Sequence, residues 1–148
     1  MVKRISHEAT SCPVARSLDV IGDWWSLLII RDAFRGRRRF GEFQKSTGAA
    51  KNILAARLRS LVDFGIMEMV PASDGSAYQE YMLTEKGHDL LPVVVALWQW
   101  GEKYFFERGE SHPVLRDSQS KKSIRKLEVR AADGRHLRHT DITFMPRR

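Results

Sequence analysis

Two short helical patterns meet at Thr47-Gly48-Ala49, and a strand–turn–strand pattern follows at once; no other feature limits the fold of this 148-residue chain as closely. The second of these helices, read over 51–64, repeats Leu54, Leu58 and Leu61 at i, i+4 and i+7, and Gly65 stops it. Runs at Met67–Ala72 and Ala77–Leu83 then flank Ser73-Asp74-Gly75-Ser76, a hairpin turn signal. Upstream, Cys12-Pro13 opens a helix that carries Val14, Leu18 and Ile21 as far as Gly22. Its proline sits at the first position, where the missing N–H costs nothing. Another helix, from about Asp23 to Phe34, is apolar almost all round and is expected to be buried on several sides. The short pattern Phe40–Thr47 turns Phe40 and Phe43 inward. Beyond the hairpin, Thr84 caps a long helix running from Glu85 to about Glu107, which Pro92 should kink or divide.

Helix, turn, helix and hairpin in this order make a winged helix-turn-helix, so the expected class is mainly α with a small β hairpin wing. Three regions follow: a disordered N-terminus at 1–11, the winged domain at 12–107, and a basic C-terminal extension at 108–148. The extension is read as a short β-rich tail, a hairpin turning at Asp133-Gly134.

Charge points to a partner. Residues 31–60 hold nine Lys and Arg against Asp32 and Glu42 alone, which matches the net charge of the entire chain, +7. Cations gathered on one compact motif are the footprint of a surface that neutralises phosphates. With Leu54, Leu58 and Leu61 facing the core, the opposite face of helix 51–64 carries Asn52, Ala56, Arg59 and Asp63, flanked by Lys51 and Ala55. Small residues let the backbone approach a groove, and Lys51 and Asn52 can bond base edges or phosphates. Arg37, Arg38 and Arg39 are expected to hold flanking phosphates, positioning the protein without reading sequence, and Arg57 of the same basic block is counted with the DNA-binding residues. The wing tip is neutral and offers Ser76 and Gln79 rather than a basic finger.

Other bounds are simpler. A hydrophobic fraction of 43% can supply a core, and no segment reaches the ~20 apolar residues of a membrane helix. The first eleven residues lack the apolar stretch of a secretory leader. One cysteine, Cys12, rules out an internal disulfide and suits a reducing cytosol, so a cytoplasmic protein is expected.

Cys12-Pro-Val, Leu18, Gly22, Trp25, Leu28–Ile30, Arg39-Phe40, Phe43, Leu54, Arg57-Leu58, Leu61, Gly65-Ile66, Tyr81, Leu83-Thr84, Gly87, Leu90, Trp98 and Gly101 resemble the HxlR-type family of bacterial transcriptional regulators, allied to MarR-type winged-helix proteins. The likeness covers roughly 12–107 in order. It implies a homodimer on a pseudo-palindromic operator in double-stranded DNA, with helix 51–64 as the recognition helix; a repressor is the expectation, with activation left open. It also implies an interface built from the first and last long helices, and Leu18, Trp25, Trp98, Trp100 and Phe105 are the residues expected at it.

Some members of that family sense oxidants or electrophiles through a cysteine near the N-terminus, a position Cys12 matches. Its place at a helix N-terminus also favours a thiolate. The alternative is a small inert residue packed under the dimer interface. With no second cysteine, a sensor here is restricted to a bridge between subunits, a mixed disulfide or direct modification. The aromatics of the last helix read either as interface or as a pocket for a small aromatic effector. His112, His136 and His139 lack the partners of a metal site, and no cofactor is implied. A thiol-dependent enzyme and an RNA-binding module are the remaining alternatives. The first lacks a histidine near Cys12 other than His7, and the second lacks aromatics interleaved with the basic block.

Overall fold

The computed structural model describes Ser6 and residues 10–145. The expectation of disorder over 1–11 falls for the most part outside them. The chain divides into two compact units, 1–94 and 95–148.

In the first unit, α1 (Pro13–Ile21), α2 (Trp24–Phe34), α3 (Phe40–Thr47) and α4 (Lys51–Asp63) precede the antiparallel pair β1 (Met67–Pro71) and β2 (Gln79–Leu83) and the short α5 (Glu85–His88). Capping sets the helix starts. Asp23 accepts from the Ser26 N–H at 2.9 Å and the Ser26 hydroxyl at 2.7 Å, and Thr84 accepts from the Gly87 N–H at 3.2 Å. α4 ends in a Schellman arrangement: the Ile66 N–H reaches the Leu61 carbonyl and the Gly65 N–H reaches Val62, each at 2.9 Å. This requires φ +73° at Gly65, which a side chain would resist.

Ile29, Ile30, Phe43, Leu54, Leu58 and Leu61 form the buried centre, joined by Ile21, Ile66, Met67 and Leu83. Met67 faces Leu83 and Met69 faces Tyr81 across the hairpin. The Tyr81 N–H bonds the Arg38 carbonyl at 2.7 Å, tying the 37–39 loop to β2. Gly87 lies so close to the hairpin base that a Cβ there would meet the Ile66 carbonyl at 2.2 Å.

The structure departs from the sequence reading in α2 and in the tail. α2 is less enclosed than its composition suggests: Trp24 is 72% exposed, and two of its four buried positions are the polar Ser26 and Asp32. The long helix from Glu85 is divided near Pro92, one of the two outcomes expected there, into α5 and α6 (Leu91–Tyr104). Pro92 in the first turn of α6 lacks an N–H, and its ring would strike the carbonyl four residues back. The tail has no strand among its described residues. It has two isolated bridges, Arg116 with Ser123 and Arg130 with His136, and a 3₁₀ turn at His139–Asp141. A turn does close at Ala131–Gly134, but residues 121–130 are all exposed and give a ladder no apolar face to bury.

Candidate nucleic-acid interface

Burial of Leu54, Leu58 and Leu61 fixes the rotation of α4, leaving Asn52, Ala56 and Arg59 exposed on the opposite side, Lys51 exposed on the flank and Ala55 half-buried. Lys51, Asn52 and Arg59 have no ion-pair partner among the described residues, and neither does Arg37. Their charge and hydrogen-bonding groups are free for an external partner. Ile53, not singled out from sequence, is also exposed in the first turn of α4. It is apolar and sits beside Asn52, where the methyl group of a thymine could contact it. A helical projection places it on the flank of the core face, which hides its exposure.

The remaining arginines have partners inside the protein. Arg57 turns to Asp23, the cap of α2, with Nε 3.4 Å from the carboxylate. Arg38 lies 3.4 Å from Glu80, and Arg39 pairs with Asp74 at 2.5 Å and approaches Glu80 at 3.7 Å. Glu80 is only 3% exposed. It accepts from both the N–H and the hydroxyl of Ser73, each at 3.1 Å, so one buried carboxylate joins the wing tip to the 37–39 loop. These hydrogen bonds, the Ser73 N–H first, hold its carboxyl below the usual range. Asp74 is held at about 2 by the Ser76 N–H first, then by the Ser76 hydroxyl and Arg39. Ser76 is half-buried and Gln79 exposed.

A groove of about 670 Å³ runs between α3 and the wing, lined by Arg39, Phe40, Lys45, Tyr78 and Gln79 among others. The Arg39 guanidinium lies 5.3 Å from the centre of the Tyr78 ring. Lys45 and Tyr78 complete this wall and were missed from sequence. Tyr78 meets Arg39 only through the fold, 39 positions away in the chain.

Cys12 is exposed and caps α1, its Sγ accepting from the Ala15 N–H at 3.5 Å. Arg16, one turn on, directs its Nε to the Thr10 carbonyl at 2.5 Å. In α1, Val14 and Leu18 are exposed. α6 separately exposes Leu91, Val93, Leu97, Trp100 and Tyr104, and Phe105 follows it. Trp100 stacks edge-on with Phe105 at 5.1 Å, while Trp25 and Trp98 are partly covered. Among the described residues, no three His, Cys, Asp or Glu side chains converge as a metal ion would require. Among the described residues, no helix is long and apolar enough to cross a membrane.

The family model for HxlR-like helix-turn-helix proteins matches residues 20–109. An uncharacterized HTH-type transcriptional regulator of Mycobacterium tuberculosis is 42% identical over 113 residues, 76% of this chain and 71% of the relative. The crystal structure of PA1607, a candidate transcription factor, superposes with a TM-score of 0.90 at 58% identity, over 95% of this chain and 99% of that one. The redox regulator HypR, in its reduced form, matches with a TM-score of 0.57 at 33% identity, over 62% of this chain and 92% of its own.

Proposed function

This chain belongs to the HxlR-like helix-turn-helix family of transcriptional regulators, and we propose that it acts as a homodimeric repressor, setting the Lys51 end of α4 into successive major grooves of a pseudo-palindromic operator. The carrying observation is the sorting of charge on the basic block. Arg38, Arg39 and Arg57 are held by acids of the protein, whereas Arg37, Lys51, Asn52 and Arg59 are left for phosphates and base edges. The exposed apolar side chains of α1 and of α6 support dimerisation, since monomers rarely leave so many large apolar groups in water. Leu18, Trp100 and Phe105 are the residues assigned to that interface.

Control by an oxidant or electrophile acting at Cys12 fits this reading. The thiol is exposed and receives a helix N-terminal N–H, and HypR, a structural neighbour, is itself a redox regulator. Modification at the start of α1 would alter the angle between subunits, spoiling the match to half-sites one helical turn (~34 Å) or a multiple apart. The test is binding to an operator fragment with and without oxidant. Cys12→Ser should keep basal binding and lose the response; a response surviving in the variant removes Cys12 as the sensor.

A further inference from the structure

Residues 108–148 carry eleven Lys and Arg against five Asp and Glu, but these charges are not equally free. Past residue 127, Arg130 pairs with Glu128, Arg135 with Asp133 at 2.9 Å, and Arg138 with Asp141 at 3.9 Å. Lys121, Lys122, Arg125 and Lys126 are all exposed, and none has an ion pair among the described residues. Both flanking acids are engaged elsewhere: Glu128 with Arg130, and Asp117 in its own loop, where it accepts from the Gln119 N–H at 3.0 Å and the Ser120 hydroxyl at 2.9 Å.

The segment bearing those four cations is also held in place. Gln99 of α6 clamps it at two points, donating to the Arg125 carbonyl at 3.1 Å and accepting from the Leu127 N–H at 2.8 Å. Arg116 donates to the Lys121 carbonyl at 2.9 Å, and the Asp117 N–H reaches the Lys122 carbonyl at 2.9 Å. Lys121 itself sits at φ +61°, a left-handed conformation that a non-glycine residue adopts only where its surroundings impose it. A tail whose charges merely kept it soluble would need neither the clamp nor the strained turn.

From this we infer that Lys121, Lys122, Arg125 and Lys126 form a second duplex-binding element, a pre-ordered ridge that takes backbone phosphates in addition to those held by the winged unit. The inference rests on the DNA-binding reading above. It goes beyond the family's shared features, because the ridge lies outside the matched residues 20–109. Four cations with no acid partner complement a row of phosphates, and holding them ready lowers the ordering cost of binding.

The test compares the full-length protein with a variant carrying Lys121→Gln, Lys122→Gln, Arg125→Gln and Lys126→Gln. Affinity for a random-sequence duplex and for a selected operator is measured over a range of KCl. The slope of log affinity against log salt should become shallower by about 0.9 for each phosphate the variant no longer neutralises, with the same fold-loss on both duplexes. Gln99→Leu keeps every charge but removes the clamp, and should weaken both complexes several-fold. An unchanged slope in the quadruple variant overturns the ridge. So does a defect confined to an acidic probe such as polyglutamate, which would mark a protein partner instead. Equal affinity of Gln99→Leu and the parent would overturn the claim of pre-ordering. Should the parent protein bind no duplex at all, the regulator reading fails rather than the ridge alone.

Discussion

Asn52 and Glu80 show how differently two polar side chains can serve one surface. Asn52 is exposed in the first turn of α4 with its amide free to read a base edge. Asn52→Ala should therefore relax preference at one or two base pairs, costing ~1–3 kcal/mol on the preferred site only. Uniform weakening on all sequences, measured by competition binding, would show that the wrong face of the helix has been assigned. Glu80 is buried and holds Arg38 and Arg39 against the wing. Its carboxyl and that of Asp74 lie below their ordinary values of 4.5 and 3.8 when folded, so their contribution to stability is present above those values. That contribution is lost as pH falls through the folded values, for Asp74 between 3.8 and about 2. The melting temperature of the parent should drop more steeply across that window than that of Asp74→Asn. Parallel curves would mean that the wing-tip hydrogen bonds do not survive in solution.

Where local chemistry decides an element, the sequence was enough. Leu54, Leu58 and Leu61 at helical spacing gave the rotation of α4, and Gly65 gave its end. What was not legible was pairing between distant parts of the chain. Arg38 and Glu80 are 42 positions apart, and nothing local marks Arg38 as already paired. Arg57 looked like part of the basic face because it lies between Ala56 and Arg59, yet Asp23 draws it back to α2. The tail failed as a hairpin for a related reason. Its alternation at Leu127, Val129 and Ala131 is genuine, but alternation makes a strand only where one face can be buried, and Leu127 and Val129 remain exposed. Packing of α5 on the hairpin depends on Gly87, whose hydrogen stands where a methyl would meet the Ile66 carbonyl. Gly87→Ala should destabilise by about 1–3 kcal/mol in denaturant unfolding, the usual cost of overpacking. An unchanged midpoint would place α5 elsewhere.

At the scale of the whole molecule, the proposed function makes specific reading of DNA depend on the pairing of two chains. A single chain offers one α4, and on that reading the second half-site of the operator is taken by a second copy. Trp100, 56% exposed, and Leu18, 48% exposed, are the large apolar groups whose cover a partner chain would supply. Trp100→Glu should shift the protein from dimer to monomer in sedimentation and abolish operator binding while leaving the α4 core folded. A dimer that persists would move the interface away from α6. Pairing is tested most directly by selecting bound duplexes from a random pool with the full-length protein and sequencing them. The expected outcome is an enriched inverted repeat with half-site centres about 10–10.5 base pairs or a multiple apart, relaxed at symmetry-related positions in both halves by Asn52→Ala. Enrichment of one unrepeated element, or of none, would contradict it.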